Sequence, residues 1–196
     1  TVSGTSISFG TAVVFESATA YYISATFDST NNKIVLSYND DANSNYGTAI
    51  VGTVSGTSIS FGTAVVFESA RSDQTAVTYD STNNKIVIAY MDGGNGYYGT
   101  AIVGTVSGTS ISFGTAVVFE SAVVNSNTAT YDSNSNKIVI TYSDGGNSYY
   151  GTAIVGTVSG TSISFGTAVV FNAANTQQYT SATFDSTANK VVIAYT

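Results

Sequence analysis

The stretch TVSGTSISFGTAVVF, Thr1–Phe15, returns letter for letter at Thr53–Phe67, Thr105–Phe119 and Thr157–Phe171. Within it Ile7, Phe9, Val13 and Phe15 alternate with Ser6, Ser8, Ala12 and Val14, the period of a half-buried strand. The spacing of 52 residues makes the chain a tandem array with units 1–52, 53–104, 105–156 and 157–196.

Working outward, the rest of each unit is also β in pattern. Ile34, Val35 and Leu36 are consecutive and apolar, as in a strand buried on both faces. Turn formers punctuate the strands: Ser3-Gly4, the run Asp28–Asn32, and Asp92-Gly93-Gly94-Asn95 in the second copy. Each complete unit thus reads as four strands, A to D; in the second copy these are Ala76–Tyr79, Lys85–Tyr90, Tyr98–Val106 and Thr109–Phe119. A repeated four-stranded antiparallel meander predicts an all-β protein, a β-propeller with complete blades near 24–67, 76–119 and 128–171. The last blade would be shared by 1–15 and 181–196, because the fourth copy stops at Tyr195-Thr196 without its loop and YGTAIVG segment. That arrangement predicts an incomplete third strand, an open strand-B edge and a route to self-association. The alternatives are a partial ring, a larger ring built from several chains, an excerpt of a longer array, and a β-solenoid, whose coils are usually shorter.

Composition narrows function. The chain has no cysteine or histidine, which removes disulfides, thiolate metal sites and the His-dependent nucleophilic relay. Five basic residues against twelve acidic ones, a net charge of −7, argue against nucleic acid as a partner. The longest apolar run, Ile86–Met91, is far too short to insert into a membrane as a helix. The abundance of Ser, Thr, Asn and Gly is the dialect of extracellular, virion-surface or cell-surface β-proteins.

The copies differ chiefly in one window between strands D and A: TAYYIS (19–24), RSDQTA (71–76), VVNSNT (123–128) and NTQQYTS (175–181). In an up-and-down meander, the D–A connection lies at the same end as the B–C loop. The B–C loops read NDDANSNY (39–46), MDGGNGYY (91–98) and SDGGNSYY (143–150). Tyrosine offers rigid amphipathic area and asparagine adaptable hydrogen bonds, a combination suited to recognition and to sugars in particular. The candidate ligand residues are Tyr21, Tyr22, Arg71, Asp73, Gln74, Asn125, Asn127, Gln177, Gln178 and Tyr179 in the windows, with Tyr46, Tyr97 and Tyr149 from the loops. Drift of exposed loops explains the same divergence without a ligand.

The stretch Tyr142–Tyr149 is similar to the Asp-box turn of sialidase-type propellers, as is Tyr90–Tyr97, while the first copy has Ala42 in place of the glycine. The Asp-box is a structural turn, and the arginine cluster of those enzymes is missing, since Arg71 is the sole arginine. Asp40, Asp41, Asp92 and Asp144 are the residues a glycoside hydrolase would draw on. Turn capping accounts for three of them, and the expectation is a non-enzyme without cofactor. Calcium is the one ion the loop oxygens suit. Asp28, Asp80, Asp132 and Asp185 read as A–B turn residues.

The segment YGTAIVGTVSGTSISFGTAVVF, followed by a variable window and then (T/A)TFDST..NK(I/V)VI(A/T)Y, resembles tandem-repeat proteins of marine phages and bacteria over the whole chain. The resemblance implies a propeller of a tail fibre or surface adhesin that meets a glycan or host-surface receptor. It carries no catalytic residue. A structural fibre repeat, or a propeller engineered from one blade, are the competing readings.

Overall fold

The computed structural model describes residues 1–196 as an all-β protein without α-helix. The strands are β1 (Val2–Ser3), β2 (Ser6–Ile7), β3 (Ala20–Asp28), β4 (Lys33–Asp40), β5 (Tyr46–Ser55), β6 (Ser58–Phe61), β7 (Val65–Asp80), β8 (Lys85–Asp92) and β9 (Tyr98–Ser107). They continue with β10 (Ser110–Phe113), β11 (Val117–Asp132), β12 (Lys137–Asp144), β13 (Tyr150–Ser159), β14 (Ser162–Phe165), β15 (Val169–Asn175), β16 (Thr180–Asp185) and β17 (Lys190–Tyr195). All pairings are antiparallel.

Each complete unit is the expected meander. In the second, the last half of β7 pairs β8, β8 pairs β9, and β9 pairs β10 and the start of β11. Strand D is therefore split: β10 and the first residues of β11 lie along one strand, with Gly114–Ala116 between them. Strands B and C run slightly longer than the hydrophobic pattern suggests, to Asp92 and Ser107.

The D–A connection corrects the sequence reading most. It is not a loop in the second and third copies: β7 and β11 are each 16 residues long and serve two successive units. The first half pairs β5 or β9 as strand D, and the second pairs β8 or β12 as strand A. The chain needs no turn there because it crosses from one sheet to the next without reversing direction. A two-residue bulge in the A–B ladder marks each crossing, with Tyr22, Gln74 and Ser126 in the left-handed region at φ 51°, 54° and 53°. In the first copy strand begins only at Ala20, and in the fourth, longer by one residue, it breaks between Asn175 and Thr180.

The core lies between units. Ile86 and Ile88 join Val35, Val51 and Phe67 of the preceding meander (24–67), while Val87 joins Phe119 and, from the following meander, Ile138 and Ile140. Consecutive apolar residues in a strand are thus used on both faces, as Ile-Val-Ile predicts. Phe–Tyr pairs repeat through the stack with centroids 5.1–5.2 Å apart: Phe15–Tyr38, Phe67–Tyr90, Phe119–Tyr142 and Phe171–Tyr195. The A–B turns form as read: Asp80 Oδ1 accepts from the Thr82 and Asn83 amides at 3.0 and 2.9 Å, and Asn84 takes φ 54°.

The terminal segments are not joined by a ladder: β1 pairs only with β2, and β16 only with β17.

Candidate functional site

The divergent windows and the B–C loops do share one face. The Ser72 amide donates to the Asn45 carbonyl at 3.0 Å, Val124 to Tyr97 at 3.2 Å and Thr176 to Tyr149 at 3.0 Å, tying each window to the preceding loop. The loops are single 3-10 turns over Asp41–Asn43, Gly93–Asn95 and Gly145–Asn147. Asp92 and Asp144 cap theirs by accepting from Gly94 and Gly146 at 2.9 and 2.8 Å; Asp40, followed by Asp41-Ala42, makes no such bond. Two of the carboxylates a hydrolase would use are therefore occupied by their own turns. No three acidic side chains gather where a metal could be held.

Two clefts open on this face. One, about 310 Å³, is lined by Tyr21, Tyr22, Asp41, Asn45, Arg71 and Asp73. Its one cation is paired, and Asp41 leaves the lining net negative: the Arg71 Nε donates to Asp73 Oδ2 at 2.7 Å, and the Asn39 amide donates to Asp73 Oδ1 at 2.9 Å. The hydrogen bond it donates to Asp73, then the Asp73 charge, raise the arginine's proton affinity further, so the guanidinium is a permanent cation anchored through Nε.

The second cleft, about 400 Å³, is lined by Tyr22, Gln74, Ser126, Asn127, Gln178, Tyr179 and Thr180. These come from all four windows, so residues of four repeat copies meet at the first strands of their meanders. Those strands are knit there by polar contacts. Thr75 Oγ1 donates to the Tyr22 carbonyl at 2.6 Å, Ser126 Oγ to the Gln177 carbonyl at 2.9 Å, and Thr180 Oγ1 to the Ser126 carbonyl. Asn127, one residue on from Ser126, has neither its amide nitrogen nor its amide oxygen paired, though both atoms are buried. An unpaired buried amide is costly unless a ligand or water meets it. Tyr22 and Tyr179 are exposed beside it.

Of the sequence candidates, Tyr21, Tyr22, Arg71, Asp73, Gln74, Asn127, Gln178 and Tyr179 come together in these two clefts. Asn125, Gln177, Tyr46, Tyr97 and Tyr149 do not line either. Asn125 pairs with Ser143 in the A–B ladder, and Tyr46 with Arg71 in the C–D ladder. The carbonyls of Tyr97, Tyr149 and Gln177 are spent on holding the windows. Asn45 and Ser126 were missed; they occupy the positions of Tyr97 and of Tyr22 and Gln74 in the other copies, which is the signal that marks them. A different set, the Tyr–Glu pairs 22 residues apart, escaped sequence reading altogether. Tyr90 and Tyr142 are wholly buried and donate their hydroxyls to Glu68 and Glu120 at 3.1 and 3.2 Å.

No protein-family model matches this chain, and no curated protein is significantly similar to it.

Proposed function

We propose that the four units are blades of a β-propeller and that the window-bearing face is a non-catalytic site for a glycan or a glycan-bearing surface receptor. What carries the reading is the composition of the inner cleft. Two exposed tyrosines, Tyr22 and Tyr179, flank an unpaired Asn127 amide, with the Gln74 and Gln178 side chains alongside. A sugar offers an apolar C–H face for an aromatic ring and hydroxyls that both donate and accept, which is what a free amide lacks. The neighbouring cleft shares Tyr22 and adds a fixed Arg71, extending the site for a second saccharide unit. Such a module belongs outside the cell or on a virion, in a tail fibre or adhesin, where weak sites gain strength by multivalency.

The test is a glycan array followed by calorimetry with the best-bound saccharide. Losing two stacking rings is worth about 1.4 kcal/mol or more, so Y22A/Y179A should bind at least about tenfold more weakly. Asn127→Ala should weaken binding without lowering thermal stability, since the amide has no partner to lose. An array without binders, or unchanged affinity in both variants, would remove the proposal. A second reading, a structural or assembly repeat of a fibre, is favoured by the letter-for-letter recurrence of Thr1–Phe15 in the other three copies.

A further inference from the structure

Side-chain hydrogen bonds sew the first meander (24–67) to the second (76–119) at the end that bears the clefts. Ser37 Oγ donates to Thr75 Oγ1 at 3.2 Å, and Thr75 Oγ1 donates to the Tyr22 carbonyl at 2.6 Å. The Val77 amide donates to Ser24 Oγ at 3.1 Å. The Asn39 side-chain amide donates to the Ser72 carbonyl at 3.1 Å and to Asp73 Oδ1 at 2.9 Å.

One repeat on, between the second meander and the third (128–171), none of these bonds is made. Ala76, Ala89 and Met91 stand where Ser24, Ser37 and Asn39 do, and Asn127 stands for Thr75. Neither polar atom of the Asn127 side chain has a partner, although both are buried. The next seam regains two ties: Thr180 Oγ1 donates to the Ser126 carbonyl, and the Ala182 amide to Thr128 Oγ1 at 3.3 Å. At its cleft end the middle seam keeps the Val124–Tyr97 main-chain bond, which has a counterpart in the other two, and the packing of Val87, Ala89 and Met91 against Val124, Ile138 and Ile140. Apolar contact is non-directional, so it holds two surfaces together without fixing the angle between them.

At the opposite end the middle seam is tied as firmly as the first. Tyr131 Oη donates to Thr82 Oγ1 at 2.6 Å and Thr82 Oγ1 to Asn136 Oδ1 at 2.7 Å, as Tyr79 Oη donates to Thr30 Oγ1 at 2.5 Å. The middle seam is thus pinned at the A–B turns and unpinned beside the inner cleft, whose lining takes Gln74 from one side and Ser126 and Asn127 from the other.

We propose that this seam is the hinge on which the inner cleft opens. The third meander swings from the second about the Thr82–Tyr131–Asn136 contact, parts the strands at the cleft end and uncovers the Asn127 amide. Each meander keeps its own ladders, because β11 alone carries the chain across and pairs β9 with one half and β12 with the other. Closure leaves the Asn127 amide desolvated and unpaired, and opening hydrates it, so a bias against full closure is built into the seam. The role of this motion as a gate rests on the saccharide reading of the cleft; the motion itself does not.

The chain has no cysteine, so spin labels can be placed on introduced pairs and their separations read by double electron–electron resonance. N95C/N147C spans the middle seam at the cleft end, and N43C/N95C spans the first seam at equivalent, exposed loop positions. S81C/S133C spans the middle seam at its exposed A–B turns. The expected result is a second, longer distance for N95C/N147C alone. Adding A89S and N127T rebuilds the Ser37–Thr75–Tyr22 relay in the middle seam and should abolish that longer distance. A single distance for N95C/N147C, the same spread in all three pairs, or a longer distance that survives A89S/N127T would each overturn the hinge. No sugar enters the measurement, so its failure removes the hinge and leaves the saccharide reading, whereas a glycan array without binders does the reverse.

Discussion

Gly114 and Gly166 sit in identical sequence, SISFGTAVVF, yet replacing each with alanine should have opposite effects. Neither has positive φ, so alanine can adopt both backbones. At Gly114 an added Cβ would overlap the Thr161 carbonyl oxygen of the next unit and lie 2.9 Å from both the carbonyl carbon and Cβ of Thr161. At Gly166 the nearest atom is the Val155 carbonyl oxygen, 3.8 Å away. The obstacle at Gly114 is backbone, so relief requires two units to part by about 1 Å, an overpacking cost of about 1–3 kcal/mol. Loss of glycine's unfolded-state freedom returns about 0.4–1 kcal/mol at both sites, and the identical flanking sequence makes that contribution cancel in the comparison. Gly114→Ala should therefore be less stable than Gly166→Ala by about 1–3 kcal/mol. In urea that is a midpoint lower by about 1 M, for a slope near 2 kcal/mol per molar. Gly62→Ala, against Thr109, should behave like Gly114→Ala. Midpoints for Gly114→Ala and Gly166→Ala that coincide would refute the close stacking of units through this glycine.

The buried Tyr–Glu pairs give two more expectations. Tyr90→Phe strips the Glu68 carboxylate of its hydroxyl donor at 3.1 Å and should cost about 1.5–3 kcal/mol by chemical denaturation, whereas Tyr38→Phe, whose Glu16 partner is 3.5 Å away, should cost less. Burial, and then the charges of Asp92 and Asp144, push Glu68 and Glu120 above the ordinary carboxylate range, although their tyrosines pull the other way. The folded protein thus holds these protons more tightly than the unfolded chain, so stability should rise as pH falls from neutrality toward about 4.5. Below about 4 it should fall, as Asp132 and Asp185, held low by the Ser135 side chain and by turn amides respectively, become protonated. Thermal melts across this range check the sign; an E68Q/E120Q variant that keeps the full acid-side rise would show that these residues do not cause it.

Much of the architecture is local and therefore readable in the chain. The alternation in SISFGTAVVF, the Asp-Ser-Thr-Asn-Asn turn and the consecutive Ile-Val-Ile are each decided by residues within a few positions of one another. They determine strand, reversal and burial on both faces wherever they occur, and here they occur repeatedly. The co-facial placement of windows and loops followed as well, because an up-and-down meander leaves no other arrangement. What the sequence could not determine lies in partners 22 to 53 residues apart. The windows look like loops because Arg71–Ala76 is polar and variable, yet they are strand, since each half of β7 finds a different neighbour to pair with. Tyr90 reads only as the end of strand B until Glu68 and Phe67 are packed against it. Asn127 gains its meaning only when Tyr22, Gln74 and Tyr179 arrive from three other copies. Gly114 and Gly166 have the same chemistry and different neighbours, and only the packing of one unit on the next tells them apart.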